Sequence, residues 1–353
     1  MNATQTTNIQ YINTLRTLAI IGVIVIHISS PLVNMTYGRN MPYWWIGNIV
    51  NSAVRFAVPL FLMLSGATLL GKECRMDEFY RKRMMRVLVP FLFWIVVYFV
   101  YRWLMLIPKQ QPHGIYNIAK WVIDLFLNEG VSKHFWYIYM ILFIYLFVPF
   151  MGKAVMKASQ QALSVFLIAW ILLCVATYSM TLSFYKWTGD YPQKFLGYFQ
   201  YAGFLVLGYY LRNINFKLSK TRFLAVLVFI ITVVISAVVA YIVSKHNHKL
   251  NLRIYSYFSL NTIIQSIAVF LMLKDLNIKN NYLIIFQNTI SKYSYGIYLV
   301  HIIVIGVLFR NGIYWSFAHP LVSLPLLTVM VLAGSFFIIF ILHKIPGGKY
   351  VAG

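Results

Sequence analysis

An all-helical bundle of about ten membrane-spanning helices is what this chain predicts, on three observations. Only 10% of its 353 residues are charged and 61% are hydrophobic, whereas a soluble domain carries about 25% charged residues. Mean hydropathy is +0.73. Apolar runs recur along the whole chain, most of them near the roughly 20 residues a helix needs to cross the hydrocarbon core. They cover 12–33, 44–71, 87–107, 134–152, 162–180, 195–211, 223–244, 257–274, 293–309 and 321–342.

The first run follows "MNATQTTNIQ", which lacks the basic region and cleavage site of a signal peptide, so it is expected to stay as a helix. The second contains "NSAVRFAVPLF" and buries an arginine. The third follows a basic loop, "GKECRMDEFYRKRMMR". The sixth, "FQYAGFLVLGYYL", is short and glycine-containing, and is the weakest span. No polar or Pro/Gly-rich linker divides the chain, so residues 1–353 read as one membrane domain with no appended soluble domain. No internal repeat stands out, which lends no support to a transporter of inverted halves.

Ten spans place both termini on one side. If that side is the cytosol, the inner loops and tails hold 17 Lys and Arg and the outer loops 10. The positive-inside rule then favours N-in, C-in. The net charge of +23 is thus first a topological signal. Its scatter over loops suits a membrane surface and argues against nucleic acid. Cys74, in a cytosolic loop, and Cys174, in a span, make neither a disulfide nor a metal cluster.

All seven acidic residues (Glu73, Asp77, Glu78, Asp124, Glu129, Asp190, Asp275) map to loops or helix ends. Arginines inside the spans therefore lack a membrane carboxylate, and an intramembrane charge is costly unless partnered. Arg102 suits snorkelling to the interface and Arg16 does so fairly. Arg55 does not: eleven residues beyond Trp44 it lies roughly 16 Å deep. Arg16 and His27 are also eleven residues apart, about 20° past three full turns, so they share a helix face about 16 Å apart. Asn13 and Ile20 lie on the same stripe. A face carrying Asn, Arg and His lines a cavity in the bundle rather than lipid. His301, roughly 12 Å from the cytosolic end of the ninth span, converges on the same depth. A histidine in such a place is either a satisfied core residue or a base. His113, His134, His246, His248, His319 and His343 read as solvated or interfacial.

Arg83 and Arg86, three apart, project from neighbouring positions of one helix face. They can grip phosphates bidentately or serve as a plain stop-transfer cluster. Metal-ligand spacings, Gly-rich phosphate loops and Ser/His/Asp arrangements are absent, so no metal is expected. Three classes remain: an enzyme; a transporter or flippase for a glycan or acyl intermediate whose positive cavity binds an anion; and, behind both, a structural or sensor membrane protein.

Five motifs carry a resemblance: Arg16, ten residues, then His27; "NSAVRFAVPLFLMLSG" (51–66); Arg83 and Arg86 followed by Pro90; "FWYIYMILFIYLFVP" (135–149); and "SYGIYLVH" (294–301). Their order and spacing resemble the acyltransferase family 3 membrane proteins, and within them the type that O-acetylates enterobacterial common antigen. The resemblance implies ten helices in a bacterial inner membrane. It implies acetyl-coenzyme A as cytosolic donor, and a cell-surface or lipid-linked glycan hydroxyl as acceptor at the far side. It makes His27 the catalytic histidine, Arg16 its motif partner, and Arg83 with Arg86 the coenzyme-phosphate site. Substrate contacts are expected from Asn13, Trp136, Tyr145, Ser294, Tyr298 and His301. Arg55 fits stabilisation of a developing oxyanion. Two places depart from the family. Ile141 and Leu142 stand where many members carry a glutamate pair, and Asn13 where an aspartate is usual, so Arg16 has lost its customary negative partner.

Overall fold

The computed structural model describes residues 3–73, 75–105, 114–124, 131–184, 190–214, 218–274 and 276–353, and among them finds helices and no strand. Cys74, His113, Glu129 and Asp275 lie outside the described residues. The elements are α1 (Ala3–Thr36), α2 (Met41–Ala53), α3 (Ala57–Leu69), α4 (Met76–Phe79), α5 (Met85–Met105), α6 (Ile115–Asp124) and α7 (Trp136–Lys157). They continue as α8 (Gln160–Phe184), α9 (Asp190–Asn213), α10 (Leu218–His246), α11 (Leu260–Leu273), α12 (Asn281–Arg310), α13 (Pro320–Lys344) and α14 (Lys349–Ala352). Nine spans among the described residues are long and apolar enough to cross a membrane. The weakest expected span, 195–211, is helical as part of α9 but is not among the nine.

Two spans are less regular than their hydropathy suggests. The second is one apolar run of 29 residues, Met41–Leu69, yet it breaks between α2 and α3 at Val54, Arg55 and Phe56. Pro59 explains the break. It has no N–H to return to the Arg55 carbonyl, and its ring clashes with that carbonyl in a continuous helix. Backbone freed inside a bilayer must find partners within the protein. Gln265 of α11 supplies one, donating from Nε2 to the Ser52 carbonyl at 2.9 Å. The third span is continuous in its course, but α4 and α5 are joined by a π-helical turn over Tyr80–Met84. Such turns are rare and concentrate at functional sites.

Helix α1 is the axis of the bundle. Its first half (Tyr11, Leu15, Ala19) belongs to a core shared with α3, α7, α8, α9 and α11. Its second half (Ile20, Val23, Ile24, Ile28) belongs to a core shared with α5, α12 and α13. A polar seam joins it to α12: Thr17 Oγ1 donates to the Gln287 carbonyl at 2.9 Å, and Asn13 Nδ2 to Asn288 Oδ1 at 2.8 Å. The glycines that weaken α9 as an apolar run serve its packing. A Cβ at Gly66 would strike the backbone of Leu205, and one at Gly208 the backbone of Met63, so α3 and α9 cross backbone to backbone. By contrast, α8 and α10 expose Val165, Ile168, Leu172, Phe223, Leu224, Ile230 and Val234. In a span these are a lipid-facing surface.

Candidate functional site

The basic loop and the N-terminal half of α1 meet around two adjoining cavities. The outer one, about 1070 Å³, is lined by Lys72, Arg75, Lys82, Arg83, Lys153 and Lys157, with Glu73 and Glu78. The inner one, about 160 Å³, is lined by Arg16, Ser65, Arg83, Arg86 and Tyr145 among others. Thr68, Leu69 and Arg83 belong to both walls, which makes one tapering, positively charged route. Among the described residues the only ion pairs are exposed ones in this region, Arg75 with Asp77 at 3.0 Å and Lys82 with Glu78 at 2.7 Å. Lys72, Arg83, Arg86, Lys153 and Lys157 form none there. Arg83 sits within the π-helical turn and Arg86 at the start of α5. The structure therefore brings both to one cavity wall, together with Arg16.

Arg16 is half-buried and donates to Ser291 Oγ at 3.4 Å. That same hydroxyl donates to Asn13 Oδ1 at 2.8 Å. Asn13 and Arg16 are thus bridged through α12, and the direct amide-to-guanidinium bond that one helical turn suggests is not made. From Arg16 a column of rings rises along α7 and α12. The Arg16 charge acts on Tyr137 and Tyr145. The Tyr137 ring lies 5.5 Å from that of Tyr298, Tyr298 lies 5.6 Å from His301, and His301 lies 5.2 Å from His27.

His27 is half-buried on the face of α1 that carries Arg16, and stands within the field of Arg55. Arg55 occupies the break between α2 and α3. Its Nη2 donates to Asn51 Oδ1, and its Cζ lies 4.1 Å above the Tyr255 ring. Its Nε is buried with no hydrogen-bond partner. Asn51 in turn donates from Nδ2 to Ser29 Oγ at 2.7 Å and Ser30 Oγ at 3.2 Å. One amide therefore sets Arg55 relative to the turn of α1 just beyond His27. No carboxylate among the described residues pairs with either arginine.

The remaining expected contacts divide. Tyr145 lines the inner cavity. Trp136 stacks on Tyr257, with ring centroids 5.8 Å apart. Ser294 is buried and donates to the Ser291 carbonyl at 2.9 Å, so its hydroxyl is used within α12. The Tyr298 hydroxyl donates to the His134 carbonyl and ties α12 to the start of α7. His301 is fully buried. His134 corrects the sequence reading: it is not interfacial but 2% exposed, its ring 5.2 Å from that of His301. Its place just before the "FWYIY" motif was the available signal, but no helical register reached it, because it sits in a 3-10 turn, Lys133–Phe135. Ser291, Asn51 and Tyr255 also went unread, since each acts across helices. Ile141 is packed in one core and Leu142 is half-buried against the other, so apolar contacts fill the places of the missing glutamates.

No curated protein and no solved structure matches the chain. A family model described as an acyltransferase domain matches residues 9–343. That match takes in α1 with Arg16 and His27, the broken second span, the π-helical turn, His134 just before α7 and His301 of α12. With nearly the whole chain covered, and a helical membrane bundle as its fold, the protein belongs to the acyltransferase family 3 and is a membrane acyltransferase.

Proposed function

We propose that the protein is an O-acetyltransferase that moves an acetyl group from cytosolic acetyl-coenzyme A to a hydroxyl of a cell-surface or lipid-linked glycan, of the kind that modifies enterobacterial common antigen. The observation that carries this reading is the tapering basic route from the loop at Lys72–Lys82 past Arg83 and Arg86 to Arg16. A wide cationic mouth suits the phosphates of a nucleotide-bearing donor, and a narrow inner cavity suits its thin pantetheine arm. Arg83 and Arg86 hold phosphate oxygens as planar, bidentate donors. Lys72, Lys153 and Lys157 add diffuse attraction at the mouth. His27, beyond Arg16 on the same helix, takes the proton of the acceptor hydroxyl as its oxygen attacks the thioester carbonyl. Arg55 faces the negative charge that develops on the carbonyl oxygen, in a site where water is scarce. The C–S bond breaks as the O–C bond forms, and the proton held by His27 passes to the departing thiolate. No observation favours the transporter reading.

The test uses purified protein with acetyl-coenzyme A and an envelope glycan fraction, and reads free thiol release and acetyl ester by mass spectrometry. Wild-type protein transfers, and His27→Ala loses transfer while keeping its donor affinity. Wild-type rates in His27→Ala would end the general-base role. Absence of thioester consumption by the wild type with every acceptor offered would end the acetyltransferase reading.

A further inference from the structure

We propose that His301 is a positioning residue for His27: its Nε2 accepts the N–H of the His27 imidazolium, the place a carboxylate holds in other acid–base pairs. This deepens the acyl-transfer reading and rests on it. A histidine that takes a proton inside the membrane becomes a cation, and the spans supply no carboxylate to receive its second N–H. The nearby charge is that of Arg55, which is positive. A neutral acceptor is what remains.

His301 is built as one. Its Nδ1 lies 2.6 Å from the Tyr298 carbonyl oxygen. A carbonyl only accepts, so Nδ1 carries the hydrogen and Nε2 is left as a bare lone pair. That Nε2 is buried without a hydrogen-bond partner, in a side chain of 0% exposure. A buried acceptor left unmatched is costly, and an N–H of a neighbouring ring is the donor that would match it. His27 is the neighbour that can supply it: its ring centre lies 5.2 Å from that of His301 with the planes inclined at 52°, and a turn of the His27 ring that aims its N–H at Nε2 closes a bond this structure leaves open. At that separation the ring edges meet at hydrogen-bonding distance when nitrogen faces nitrogen. Two rings pack against His301. His134 packs edge-on against it at 5.2 Å, and Tyr298 lies 5.6 Å off. Tyr298 is itself anchored through its hydroxyl to the His134 carbonyl. Full burial also means that His301 has no surface to offer a substrate. Its effect on the reaction passes through His27: it selects the His27 nitrogen that faces the acceptor and spreads the charge that nitrogen acquires.

Three substitutions separate this role from simple packing. His301→Gln places an amide oxygen near the position of Nε2. His301→Asn keeps a donor near Nδ1 for the Tyr298 carbonyl but leaves nothing at Nε2. His301→Met keeps volume and loses both. Steady-state transfer with acetyl-coenzyme A should show kcat lowered about 100-fold in the Met and Asn variants. The KM for acetyl-coenzyme A stays within twofold of wild type, and Gln recovers about tenfold over Asn. Equal activity of Gln and Asn, or wild-type kcat in either Asn or Met, overturns the proposal. So does a loss expressed in KM alone. If Met fails to fold, the Gln and Asn pair decides the matter; if neither amide variant folds, His301 is a packing residue and the proposal is overturned. Failure of the acyl-transfer reading looks different, because wild type then consumes no thioester, or His27→Ala transfers normally. A wild type that transfers and a His27→Ala variant that does not, together with unimpaired His301 variants, sink this inference alone.

Discussion

At the residue scale, the bundle shows how a membrane protein keeps arginines without acids. Arg55 is held by an amide oxygen below and an aromatic face beside it, and neither neutralises it. An aromatic face stabilises a desolvated cation by about 2 kcal/mol, and the amide adds a charge-assisted hydrogen bond. The guanidinium thus stays charged and keeps donors available for an oxyanion. Arg55→Ala is expected to lower kcat for acetyl transfer about 100-fold or more with little change in donor affinity. Asn51→Leu, which removes both the Arg55 tether and the bond to Ser29, is expected to lower kcat about 10- to 100-fold through misplacement. Stopped-flow thiol release and donor titration check both. A selective loss of donor affinity in either variant would move Arg55 from the reacting centre to donor binding.

At the scale of elements, irregular helix carries two arginines of the proposed site, Arg55 and Arg83. The break at Val54, Arg55 and Phe56 sets Arg55 near His27, and the π-helical turn at Tyr80–Met84 sets Arg83 in the wall of the proposed route. Replacing Arg83 and Arg86 together by alanine should weaken coenzyme A binding by about tenfold per arginine. Lysine should restore it only in part, for want of the bidentate fork. Unchanged affinity by calorimetry would return the pair to a stop-transfer role. The α3 and α9 crossing makes a separate demand, because Gly66 and Gly208 face backbone and not flexible side chains. Gly66→Ala and Gly208→Ala should each cost about 1–3 kcal/mol by overpacking, seen as a lower Tm in detergent. Gly152→Ala, with open space around its Cβ position, is the control and should hold wild-type Tm. Equal Tm in all three would show that the crossing tolerates a side chain.

At the scale of the whole molecule, charge asymmetry sets the expected orientation. With the loop of 72–86 and the tail after 343 in the cytosol, the basic mouth opens toward the cytosolic donor and His27 lies toward the far side. Cysteine labelling in intact cells should find positions near Lys349 and in the 153–161 loop protected from membrane-impermeant reagents, and His246 accessible. Reversed labelling would turn the mouth outward and remove the cytosolic donor from the proposed function.

Composition, hydropathy and spacing alone determined the class of fold, the approximate spans and the pairing of Arg16 with His27 on one face, because these are properties of local periodicity. Even the break in the second span was written locally, in Pro59, although hydropathy averages over it. The partners of the charged groups were decided only by tertiary structure. Ser291 lies 275 residues from the Arg16 it receives, and Tyr255 and Gln265 reach the broken span from α11 and the turn before it. His134 shows the same limit most plainly: in sequence it belongs to a polar turn, and in space it closes the ring column behind His301 and His27. Hydrogen bonds across helices follow from packing, and packing between helices far apart in the chain leaves no period in the sequence to read.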